Sequence, residues 1–297
     1  MLELKEDTLD TQDTKDETQT NISEEERRSK TSNVGSVSCF LPTQSDEDDT
    51  MVRDLPGMNL PEKILFVIDT IREKNCTPFK LTTGAKYMPL FMIKRIVENF
   101  VCIKSSIQSS HEYALMILNT QGVHWICDFT NNIKTIVNLL DTINEDVLEE
   151  NPQIYCLGQM FATIQSRLLT PPKKQGTTVP TFVNRVILMY SRSYCVPIVY
   201  TGKTFLERLT DNPYFFIDVL YIHEPPSSEN SCEKIYAELA TLETTNFSYI
   251  LEVGRNAAKL HDNMAKLLAH PLQRPPQKDT CYTIIPPSSS QEMYTNV

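Results

Sequence analysis

Ile64-Leu65-Phe66-Val67-Ile68 runs unbroken and apolar into Asp69. Five residues are too few for a typical helix, and the run is rich in strand formers. An apolar strand without polar alternation is covered on both faces, which is the mark of a parallel sheet. Arg185-Val186-Ile187-Leu188-Met189-Tyr190 and the stretch from Tyr214 to Ile222 read the same way. Tyr113–Leu118 and Val123–Cys127 are joined by Asn119-Thr120-Gln121-Gly122, the spacing of an antiparallel hairpin. Phe247–Glu252 reads as a last strand.

Helical stripes fill the gaps: Leu90, Ile93, Val97 and Val101; Ile133, Ile136, Val137 and Leu140; Leu157, Met160, Phe161, Ile164 and Leu168; Ile235, Leu239 and Leu242. Ala257, Leu260, Met264, Leu267 and Leu268 mark a final helix that Pro271 stops. Strands alternating with helices predict a three-layer α/β fold, with a mostly parallel sheet flanked by helices. It occupies residues 58–270, and no linker divides it.

The chain has 297 residues and a net charge of -10. Residues 1–54 hold 15 acids, 6 bases and one aromatic, Phe40. Such a stretch buries too little apolar surface to offset its ordering entropy, so residues 1–57 read as a disordered acidic tail. Within it Ser29 and Thr31 follow Arg27-Arg28, and Ser45 precedes Asp46-Glu47-Asp48-Asp49, patterns that basophilic and acidophilic kinases use. The acidic start, Met1 to Asp7, has the form of neither a secretory nor a mitochondrial signal. No apolar run reaches membrane-spanning length. An acidic chain also argues against binding nucleic-acid phosphates. The eight cysteines lack the close pairs of a zinc site, and are expected as reduced thiols of a cytoplasmic or nuclear protein.

Few patterns carry chemistry. The glycines are too scattered for a dinucleotide cradle. Thr201-Gly202-Lys203-Thr204 mimics the end of a phosphate loop, but the position needing glycine is Pro197, and a polar loop is the better reading. No nucleophile elbow precedes Ser191 or Cys195 that would make an α/β hydrolase. Asp218, inside a very apolar strand, reads as a paired or solvent-facing acid.

Asp69 stands where open α/β sheets bind ligands, at the carboxyl end of the first strand. In von Willebrand A domains this place carries Asp-x-Ser-x-Ser, which holds a divalent cation. Here the run is Asp69-Thr70-Ile71-Arg72-Glu73, with both serines lost and Arg72 adding positive charge. Hard cations need several oxygen ligands. A metal-dependent von Willebrand A-type binding module centred on Asp69 is therefore the weaker alternative, and no cofactor is expected.

Residues 271–297, with five prolines and Ser288-Ser289-Ser290, read as an extended partner-binding tail. The last helix delivers Pro271-Leu272-Gln273-Arg274-Pro275, in which proline lowers the ordering cost and Arg274 offers a fork of hydrogen bonds. Tyr282, Ile284 and Ile285 would add apolar anchors; the competing reading has these residues fold back on their own domain.

Asn59-Leu60-Pro61-Glu62-Lys63, Ser110-His111-Glu112-Tyr113-Ala114-Leu115, Asn212 to His223 and Met264 to Pro275 together resemble the MERIT-type, or BABAM, family. These are scaffold subunits of the BRISC and breast-cancer-protein A complexes. The resemblance covers residues 58–285. It implies a von Willebrand A-like fold without the metal site, and a non-catalytic subunit that binds the BRE subunit, which carries ubiquitin E2-variant domains. A JAMM-type deubiquitinase, specific for lysine-sixty-three chains, and an Abraxas-type scaffold would share the complex, with roles in the DNA-damage response and double-strand break repair. The family's P-x-x-R motif falls on Pro271-Leu272-Gln273-Arg274. The partner-binding set implied is Met264, Leu267, Leu268, Pro271, Leu272, Gln273, Arg274, Pro275 and Tyr282.

Overall fold

The computed structural model describes Leu55, residues 57–243 and residues 245–280. The acidic tail reading, the sites Ser29, Thr31 and Ser45, and Tyr282 lie outside the described residues. Six strands form the sheet: β1 (Glu62–Asp69), β2 (Glu112–Asn119), β3 (Gly122–Thr130), β4 (Val183–Tyr190), β5 (Phe215–Ile222) and β6 (Ile250–Val253). Their order is β6-β5-β4-β1-β2-β3. All neighbours pair in parallel except β2 and β3, the expected hairpin, whose ladder shifts register after Tyr113 and again after Leu115.

Successive side chains point to opposite faces of a strand, and the core divides accordingly. Ile64, Phe66 and Ile68 of β1 join Ile187, Met189, Leu220 and Ile222 on one face. Against that face pack α1 (Pro89–Ile107), α2 (Ile133–Thr142) and α6 (Ala257–Lys266). Leu65, Val67, Val186, Leu188, Ile217 and Val219 line the other. There α3 (Gly158–Arg167), α4 (Lys203–Thr210) and α5 (Cys232–Ala240) cover them. Every residue of β4 and β5 is buried, which is why those segments show no polar alternation. Asn132 and Asn256 start α2 and α6 by accepting hydrogen bonds from the amides of Thr135 and Lys259.

Three expectations are corrected. The Thr201–Thr204 stretch is no loop: Tyr200–Gly202 is a 3-10 turn that runs into α4. Leu206 and Leu209 provide its buried stripe, too short a pattern to stand out beside Lys203 and Thr204. The last strand begins at Ile250, because Phe247 and Tyr249 are engaged elsewhere, as described below. The segment after α6 also turns back, and does not extend.

Gly202 is a close-approach glycine. A Cβ there would meet Phe161 Cδ2 at 2.7 Å and the Gly158 Cα at 2.9 Å. Gly202→Ala is expected to lower stability by about 1–3 kcal/mol through overpacking of α3 on α4. A chemical denaturation curve checks it, and an unchanged midpoint would refute the close-approach account.

Candidate functional site

At the carboxyl end of the sheet, the Asp69 carboxylate is fully engaged. Arg192 Nε donates to Oδ1 at 3.1 Å and Oδ2 at 3.0 Å, and Nη2 donates to Oδ1 at 2.9 Å. The Ser191 amide donates to Oδ2 at 3.2 Å. The guanidinium carbon lies 3.7 Å from the Tyr155 ring centroid, and the Arg192 side chain has no exposed surface. Burial alone would lower the Arg192 pKa, but Asp69 reverses that and raises it. Glu73 caps the same loop, accepting from the Ser193 amide at 2.6 Å and the Tyr194 amide at 3.0 Å. Glu224 ties the neighbouring loop, pairing with Arg255 at 2.6 Å and accepting from the Thr77 amide at 2.7 Å.

These residues do not fit a divalent cation. Both Asp69 oxygens face a guanidinium, and the Thr70 hydroxyl donates to the Leu118 carbonyl at 3.0 Å. The cavity beside Asp69 is ≈ 10 Å³, about the room of one water. The sequence reading put the competing positive charge on Arg72; the structure puts it on Arg192, while Arg72 pairs with Glu145 at 3.0 Å. Among the described residues no group of three or more His, Cys, Asp or Glu is placed to hold a metal. Calorimetry with magnesium or manganese is expected to read no heat; a heat abolished by Asp69→Asn would contradict this.

Ser191 and Cys195 are not set up for attack. Ser191 Oγ donates to the Asp69 carbonyl, and burial pushes the Cys195 thiol pKa up. Neither bonds to a histidine among the described residues.

A second constellation lies at the opposite end of the sheet, on the α1/α6 face. Glu62, Arg185 and Asp218 take positions in line with Ile64, Ile187 and Leu220, and each side chain has 0% exposure. Arg185 bridges the other two: Nη1 reaches Glu62 at 2.9 Å and Nη2 reaches Asp218 at 2.8 Å. Lys104, from the last turn of α1, pairs with Glu62 at 2.5 Å and donates to the Leu268 carbonyl at 2.8 Å. The second Asp218 oxygen accepts from Arg274 Nη2 and from the Tyr249 amide. Burial would raise the Asp218 pKa; Arg274 and Arg185 outweigh it and hold the carboxyl below its usual value.

The segment carrying Arg274 is thereby fastened to its own domain. The amides of Gln273 and Arg274 donate to the His270 carbonyl, closing a turn. Leu272 joins Leu60, Val183 and Phe216 in a small apolar cluster. Arg274 donates to the Phe247 carbonyl through Nε and Nη2, and its guanidinium carbon lies 3.8 Å from the Tyr249 ring centroid. Tyr249 Oη in turn donates to the Pro275 carbonyl at 2.6 Å. Gln277 completes the docking: its carboxamide accepts from the Ile250 amide at 2.6 Å and donates to the Ile250 carbonyl at 2.9 Å. An added strand would pair with the edge of β6 in the same manner.

The sequence-derived partner set is therefore split by burial. Met264, Leu267, Pro271, Leu272 and Arg274 are buried within the domain; Leu268 is half-buried, and Gln273 and Pro275 are exposed. The expectation that Pro271–Pro275 extends away with Arg274 free is corrected: Arg274 is turned inward and paired with the buried Asp218. Sequence reading missed Glu62, Lys104, Arg185, Arg192 and Glu73. Arg185, at the head of an apolar strand, carries the signal: a charge in a both-face-buried strand demands a counter-charge.

Two histidines flank this network. The His111 ring accepts from the Glu62 amide at 2.9 Å, and the His270 ring accepts from the Leu272 amide at 3.1 Å. Burial holds both at about 4, against an ordinary 6.5. The unfolded chain thus takes up their protons first as pH falls, so stability is full above about 6.5 and declines towards 4. Glu73 and Glu243, raised by burial, act in the opposite sense, while His223, lowered by burial, acts with the two histidines. Thermal melts are expected to give a lower Tm at pH 5 than at pH 7.5, and His270→Gln to shrink the difference. An equal or higher Tm at pH 5 would contradict the neutral-histidine account.

No family model matches the chain. Curated relatives do. "BRISC and BRCA1-A complex member 1" of Xenopus laevis is 32% identical over 251 residues, 82% of this chain and 75% of the relative. The protein of that name from Homo sapiens is 31% identical over 261 residues, 86% and 77% of the two chains. Among solved structures, the SpRpn10 VWA domain aligns with 73% of this chain and 98% of its own, at 12% identity and a TM-score of 0.47. A von Willebrand factor type A protein from Catenulispora acidiphila aligns with 71% and 43%, at 11% identity and a TM-score of 0.39.

Proposed function

This chain belongs to the family of BRISC and BRCA1-A complex member 1, and we propose that it is a non-catalytic scaffold subunit of the two deubiquitinase complexes those relatives are named for. In this reading it binds the BRE subunit through the end of α6 and the Pro271–Pro275 segment. The JAMM-type protease and the Abraxas-type scaffold join through that assembly, in the cytoplasm and the nucleus, where it serves the DNA-damage response. What supports the reading is the closed crest. The ligand position of an open α/β sheet is filled by the protein's own Arg192, which favours a role carried by surface contacts.

The surface concerned is Leu268, Gln273 and Pro275, the members of the partner set that reach solvent. The experiment is affinity capture of BRE by the full chain, followed by cleavage of lysine-sixty-three-linked polyubiquitin. Gln273→Glu with Pro275→Glu is expected to reduce both capture and cleavage while the Tm stays put, since both residues are exposed. Full capture and cleavage by that variant would remove this surface from the function.

A further inference from the structure

The P-x-x-R motif ends in a residue that cannot be reached. The Arg274 side chain is 1% exposed, its carboxylate partner Asp218 is 0% exposed, and a backbone carbonyl and an aromatic ring take the rest of its surroundings. The residues on either side behave oppositely: Gln273 and Pro275 are exposed. The alternation follows from the turn at His270, which fixes which side chains point inward.

We propose that Arg274 is a positioning residue: it latches the C-terminal segment onto the sheet, and the partner reads the Gln273 and Pro275 face that this latch presents. The proposal rests on the scaffold reading above and deepens it. Three anchors hold the segment, one on β5 and two at the start of β6. Arg274 binds Asp218 of β5, the Tyr249 hydroxyl holds the Pro275 carbonyl, and Gln277 pairs with the backbone of Ile250 on β6. Leu272 adds an apolar peg beside Leu60. A segment held at four points loses little further freedom when a partner docks, which is how preorganisation favours binding. The guanidinium is a suitable latch. Its planar fork satisfies one carboxylate oxygen and one carbonyl at once, and its face covers the Tyr249 ring. Lysine offers a point charge without the fork or the face.

Contact and latch make different forecasts for residues that a partner cannot touch. Asp218 is fully buried and Tyr249 is 1% exposed. If Arg274 touched BRE, Asp218→Asn and Tyr249→Phe would leave capture unaltered. If it latches, both weaken capture although neither reaches the surface. The test uses full-length variants, each measured for Tm, for protease sensitivity of residues 270–280, and for the Kd of BRE capture. Tyr249→Phe removes the hydroxyl that bonds Pro275 and keeps the ring, so it keeps the test decisive should Asp218→Asn fail to fold.

Under the latch, Tyr249→Phe and Arg274→Lys loosen residues 270–280 to protease and weaken BRE binding together, Arg274→Lys by about tenfold or more, 1.4 kcal/mol per tenfold. Gln273→Ala with Pro275→Ala weakens binding without loosening the segment. Protease loosening by Tyr249→Phe with an unchanged Kd, alongside loss of binding in Arg274→Lys, would overturn the latch and restore direct contact. Unchanged binding in the Gln273 and Pro275 double variant and in Arg274→Ala alike would instead remove the C-terminal segment from the interface. That result sinks the scaffold contact itself, and is distinguishable from failure of the latch alone.

Discussion

An Asp218→Ala variant is expected to lose about 3–5 kcal/mol of folding stability, because it strands buried positive charge. Arg185 and Arg274 both meet this one carboxylate, and neither has water within reach. Burying an unpaired charge costs far more than the pair contributes, so the loss measures the stranded Arg274 guanidinium more than the broken bonds, while Arg185 keeps Glu62. The Tyr249 amide also loses its acceptor. For a domain of this size such a loss lowers Tm by about 10 °C or more. Differential scanning calorimetry on wild type and variant decides it. Asp218→Ala within a degree of wild type would mean that water or rearrangement compensates the cations, and that the network is no latch.

Arg192→Ala is expected to have an effect of similar size, about 3 kcal/mol or more, by the mirror-image mechanism. It leaves the Asp69 carboxylate buried without its guanidinium partner, with the Glu73 carboxylate nearby. It also empties the space over the Tyr155 ring. The double variant Arg192→Ala with Asp69→Ala removes both charges and is expected to recover part of the loss, since the unpaired carboxylate is then gone. Additive losses in the double variant would show that the two side chains act independently, against the ion-pair account. Denaturant midpoints with unchanged m values are the measurement.

Much of the fold was legible because burial on both faces leaves a plain trace. Ile64–Ile68 could be read as a central strand since no polar residue interrupts it, and the Leu157, Met160, Phe161, Ile164 stripe because helical spacing repeats over several turns. Lys203–Thr210 was illegible for the converse reason: two turns, with polar residues at the start, carry too little periodicity to outweigh a phosphate-loop mimic. The site divides similarly. The defect at Asp69 could be read from the lost serines, but the residue that fills the gap is 123 positions away and is brought there by the β1–β4 pairing. For Arg274 local sequence pointed the wrong way. A proline-flanked arginine has the look of a solvent-facing arm, and only the three-dimensional pairing with Asp218, 56 residues earlier, shows it turned inward.

The dependence of Asp218 on Arg274 also sets a condition on biosynthesis. A nascent chain stalled just before residue 274 would already have the six strands and six helices needed to begin collapse, yet its central carboxylate would still want one of its two cations, and the edge of β6 would lack Gln277. Such a fragment has reason to stay open, exposed to chaperones and proteases, until translation passes residue 277. Synthesis of residues 274–277 is in this way a condition for closing the domain.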